Sequence, residues 1–109
     1  MSDDVLERYT VWVDGEPNLC FEGTCIADVE DRWRNGQEQT RWSIFRLYRL
    51  ANNTFVCERV RRSMWMGEGD RHEAAHVNSV KDVMKFFEYS DLAKRLYDKA
   101  KFDATARVP

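Results

Sequence analysis

No stretch of the chain approaches the about 18 consecutive apolar residues that a membrane-crossing helix needs, so no membrane span is expected. The acidic first four residues lack the basic-then-apolar order of an export signal, and a cytoplasmic location is expected. Proline occurs twice and glycine five times in 109 residues, too seldom for long disordered linkers. Cysteine is scarce and odd in number. Cys20, Cys25 and Cys57 are expected to be free thiols that pack as small apolar groups. Cys20 and Cys25 stand five apart, which on one strand points them to opposite sides and matches no zinc-ligand pair. The chain has no glycine-rich phosphate cradle and no recognisable Ser/His/Asp or Cys/His arrangement, and no cofactor is expected. Lysine is missing altogether from residues 32–62, although that stretch holds eight arginines.

What is present is charge sorted into blocks. Residues 1–31 carry nine carboxylates against Arg8, a net of −8. Residues 32–62 set their eight arginines against Glu38 and Glu58, a net of +6, and the remainder is neutral. The overall charge of −2 therefore hides two regions of opposite sign. Such a pattern bears on partners and self-contact, and blocks on opposite faces would allow a head-to-tail homodimer. Aromatic residues make up 13% of the chain and include four tryptophans, enough large rings to supply much of a core or an interface.

The length suits a single domain, β-rich over 8–62 and helical over 79–103. Alternation predicts strands at 8–14 and 19–29, joined by the breakers Asp14, Gly15 and Pro17. On the second, Leu19, Phe21, Gly23, Cys25, Ala27 and Val29 would share one side. Asn35-Gly36 marks a loop. Strands at 40–50 and 54–61 flank Asn52-Asn53, whose residues tolerate positive φ, and form a second hairpin. Met64-Trp65-Met66 is expected to pack under a loop. Ser79 followed by Asp82 resembles a capping box, with Val80, Val83, Met84 and Phe87 at helical spacing. Ser90 or Asp91 would cap a second helix with the stripe Leu92, Ala93, Leu96, Tyr97 and Ala100, and the tail from Thr105 is expected to fray. The expected class is α+β: an antiparallel, curled sheet of four to five strands, built on two hairpins, with two C-terminal helices packed on one face.

The run His72-Glu73-Ala74-Ala75-His76 matches the His-Glu-x-x-His signature of the zincin metalloproteases. That resemblance implies a zinc-dependent hydrolase, with His72 and His76 as ligands and Glu73 as the base, and with Glu88, Asp91 or Asp98 as third-ligand candidates. It requires a helix. On a strand, residues four apart are separated by about 13 Å, too far to share one ion. Helix and strand both stay open for residues 72–77: Gly69 and Asp70 precede the run, Ser79 starts a separate helix, and residues 73–77 could form a short strand just before its cap.

The arginine-rich stretch offers a different chemistry. Arg41, Trp42, Arg46, Arg49, Arg59, Arg61 and Arg62 interleave guanidiniums with rings along one hairpin. Tryptophan, tyrosine and arginine are the favoured anchors of protein interfaces, and arginine also binds phosphates. The leading expectation is a small non-enzymatic protein that binds a protein partner through this hairpin, of the kind that a phage or mobile element uses to inhibit a host enzyme. Nucleic-acid binding by the same residues is the alternative, and net acidity weighs against it. A third possibility is that carboxylates of the first hairpin neutralise the arginines internally, with Glu22, Asp28 and Glu30 lying across from Arg46, Arg59 and Arg61.

Overall fold

A computed structural model describes residues 6–108, and the acidic first four residues lie outside them. Strands β1 (Glu7–Val11) and β2 (Leu19–Glu30) form the first hairpin. A two-residue pair, β3 (Trp33–Arg34) and β4 (Gln37–Glu38), follows as a separate small sheet. Its turn is Asn35-Gly36, both at positive φ (52° and 78°), the conformation a tight hairpin of matching twist requires. Strands β5 (Arg41–Leu50) and β6 (Phe55–Ser63) form the second large hairpin, and β7 (Arg71–Val77) adds a fifth strand. The main sheet is antiparallel throughout, in the order β1-β2-β5-β6-β7. Helices α1 (Val80–Phe87) and α2 (Asp91–Ala100) complete the α+β fold. Ser79 caps α1 by accepting from the Asp82 N–H, and Ser90, rather than Asp91, caps α2 by accepting from Ala93. No described helix is long and apolar enough to cross a membrane.

Register divides the side chains between two faces. The helices bury Val83, Phe87, Leu96 and Tyr97 against Val29, Phe45, Leu47, Phe55 and Cys57. The other face, enclosed by the curl, holds Val11, Tyr48 and Val56, with Tyr9 tilted against the Tyr48 ring at 4.7 Å and Phe21 edge-on to it at 5.1 Å. One expected face does not survive. The pairing of β2 with β5 shifts between Cys25 and Ala27, so Cys25 opposes Tyr48 while Ala27 opposes Leu47 on the reverse side. A bulge at Ile26 inserts one residue, which inverts the alternation and sharpens the curl. The curl brings the two edges of the sheet together. The Asp14 N–H donates to the His72 carbonyl, and the His72 N–H donates to Asp14 Oδ2, both at 2.9 Å.

Two further expectations are corrected. Met64, Trp65 and Met66 are all exposed, because the loop between β6 and β7 projects past the end of the sheet and nothing described covers it. The helical stretch expected to reach 103 ends at Ala100, and beyond it Phe102 packs edge-on against Phe55 and Ala104 lies against the core, both ahead of Thr105.

Candidate functional site

The zincin-like run is strand β7. His72 and His76 lie on the face away from the helices, opposite Val60 and Val56, and at strand spacing they stand about 13 Å apart. His76 Nε2 meets Thr54 Oγ1 at 2.8 Å, whereas His72 Nδ1 is buried without a described partner. Glu73 points to the other face and holds Arg59 at 2.7 Å. The helical geometry that would make these residues two ligands and a base is not formed. Of the third-ligand candidates, Glu88 and Asp91 line a groove on the helix-bearing side, remote in register from both rings.

The arginines of the second hairpin divide by parity. Trp42, Arg46 and Arg62 take the face away from the helices, while Arg41, Arg49, Arg59 and Arg61 share the helix-bearing face. Most are neutralised within the molecule. Arg41 donates twice to Glu68, at 2.8 and 2.9 Å, and these bonds hold the Glu68 carboxyl below the usual carboxylate range. Arg46 lies 3.4 Å from Asp28 and 3.6 Å from the buried Glu58, which also accepts from the Tyr48 hydroxyl at 2.9 Å. Arg62 approaches Asp70 at 3.9 Å. Arg59 lies over the Phe86 ring and donates to Glu73 and to the Phe86 carbonyl. Trp42 is covered by the Arg32 guanidinium, 4.7 Å from its ring centre. Arg49 sits at the turn end of β5, opposite Phe55 and Thr24 and away from the others.

The carboxylates come mostly from an unexpected source. Asp28 with Arg46 is the one pairing that forms among those expected from the first hairpin. Strand order explains this: β6 lies between β5 and β7, out of reach of β2, so Arg59 meets Glu73 of β7 instead.

Arg61 remains. It stands opposite Ser43 on one side and opposite Arg71 on the other, and both arginines are exposed. Neither guanidinium has a hydrogen bond or ion pair to a described residue. Their fields reach Glu73, whose carboxyl is held below its usual range first by the Arg59 hydrogen bond and further by Arg61 and Arg71. One carboxylate thus faces Arg59 directly and has the Arg61–Arg71 pair one row along the same face. Ser43 and Arg61, but not Arg71, line a groove of about 750 Å³ between the β3–β4 hairpin and the α1–α2 junction, where Phe45, Phe87 and Leu92 meet the exposed Trp33, Arg34 and Arg95 and the carboxylates Asp31, Glu88 and Asp91.

Sequence reasoning missed Arg71. Its parity with Glu73 was readable, but its position opposite Arg61 depends on the register of β7 against β6, which no local signal fixes. No known family, characterised protein or solved structure matches the chain, so its function is argued from this groove and the arginines beside it.

Proposed function

We propose that the chain is a small non-enzymatic interaction protein that docks an acidic protein partner on the row Ser43, Arg61 and Arg71 and in the adjoining groove. The observation that carries this reading is the opposed, unneutralised pair Arg61 and Arg71. Like charges directly opposite one another on a sheet destabilise it, and an acidic ligand would remove that cost. Trp33 beside the row adds an exposed ring of the type that anchors interfaces. The proposed setting is the cytoplasm, which suits three thiols that form no disulfide. An inhibitor of a host enzyme, encoded by a phage or mobile element, is one form such a protein takes.

The test is capture of a partner from native-host lysate on the immobilised chain. Arg61→Glu/Arg71→Glu is expected to lose the partner while keeping the wild-type circular dichroism spectrum, and Lys101→Glu is expected to keep it. Equal capture by the wild type and the double reversal would overturn the reading. Binding of generic DNA or RNA that falls steeply with salt would replace it with the nucleic-acid alternative. Self-association in sedimentation, lost in the same double variant, would make a second copy the partner, through its acidic first block.

A further inference from the structure

The geometry points to a phosphomonoester, carried on a segment of the protein partner, as the group that Arg61 and Arg71 hold. This inference rests on the docking reading and adds the chemistry of the anchor. Charge is the first argument. Glu73 is paired with Arg59, and Arg61 and Arg71 stand opposite each other one row along, so these four side chains carry a local surplus of two positive charges. A carboxylate side chain or a phosphodiester brings one negative charge and leaves one arginine uncompensated. A phosphomonoester brings nearly two at neutral pH. Shape is the second argument. Residues directly opposite on antiparallel strands have Cα atoms about 4.5–5.5 Å apart, so two planar guanidinium forks can close on one tetrahedral group from both sides. Ser43, the third member of the row, is polar and half-buried, with its backbone N–H fixed by Asp31 at 2.7 Å. The competing carboxylates beside the row are already engaged, Glu73 with Arg59, Glu68 with Arg41 and Asp31 with Arg34 and the Ser43 N–H.

The experiment is titration of the full chain against three short fluorescein-labelled peptides, identical except at one position, which holds phosphoserine, glutamate or serine amid acidic residues. The phosphoserine peptide is expected to bind roughly tenfold more tightly than the glutamate peptide at pH 7.5, and the preference is expected to shrink below about pH 6 as the monoester takes up its second proton. Arg61→Ala and Arg71→Ala should each abolish the preference. Arg71→Lys, which keeps the charge but loses the fork, should retain only part of it. Equal binding of the phosphoserine and glutamate peptides would overturn the phosphate inference while leaving the docking reading intact. No binding of any peptide would count against both. A phosphoserine preference that persists in Arg61→Ala and Arg71→Ala would place the phosphate site elsewhere and overturn the assignment.

Discussion

Glu58 is the one charged residue among the described buried positions, and its neighbours show how the fold tolerates it. Tyr48 donates to one carboxylate oxygen at 2.9 Å, and Arg46 stands 3.6 Å away on the same enclosed face. Burial next to that carboxylate pushes the Tyr48 phenol well above its usual range, so it remains a donor at any physiological pH. Tyr48→Phe would leave a buried carboxylate short of a donor. A loss of about 1–3 kcal/mol is expected in urea denaturation, and an unchanged midpoint would contradict it. The cysteines separate as sharply. Burial pushes the Cys57 thiol up to about 12, whereas Cys20 is exposed. A thiol reagent at pH 8 should label Cys20 in the native protein and reach Cys57 only on unfolding. Because the folded-state value is raised, the stability linked to the neutral Cys57 thiol is complete below its ordinary range near 9. It is lost as pH rises from there toward 12.

At the level of strands and helices, local chemistry decides most of the architecture. The Asn-Gly turn, the Asn52-Asn53 turn and the caps Ser79 and Ser90 act where their side chains and backbone angles dictate; the turns and Ser79 were readable from residue type, and Ser90 as one of two candidates beside Asp91. Three features were not. The bulge at Ile26 depends on how β2 must bend over the curl, which alternation does not encode. The β3–β4 pair is only two residues long on each side, too short to show a period. The opposition of Arg61 and Arg71 is a register property of two strands separated by a loop. The pairing of β2 with β5 places one more constraint at Gly23. A Cβ there would lie 2.7 Å from the Arg49 carbonyl oxygen, so the strands would have to move apart. Gly23→Ala is expected to destabilise by about 1–3 kcal/mol in thermal or urea unfolding, with wild-type stability as the contrary result.

Across the whole molecule, the segregated charge of the sequence turns into near-complete internal pairing with one gap. Three of the acids that neutralise the arginine block, Glu68, Asp70 and Glu73, come from the loop before β7 and from β7 itself, and two, Glu38 and Glu58, from within the block. The acidic first block contributes Asp28 and Asp31. Among the described arginines of the block, Arg61 has no such partner, and at one end of the helix-bearing face it meets Arg71 beside the groove. The proposed docking of an acidic partner depends on that gap being real in solution. A double-mutant cycle of Arg61→Ser and Arg71→Ser, read by urea denaturation at low salt without added phosphate, measures it directly. The cycle should report a repulsion of about 0.2–1 kcal/mol between the two side chains, shrinking as salt is raised. A coupling that is zero or attractive would show the two charges already neutralised within the chain, and would contradict the account.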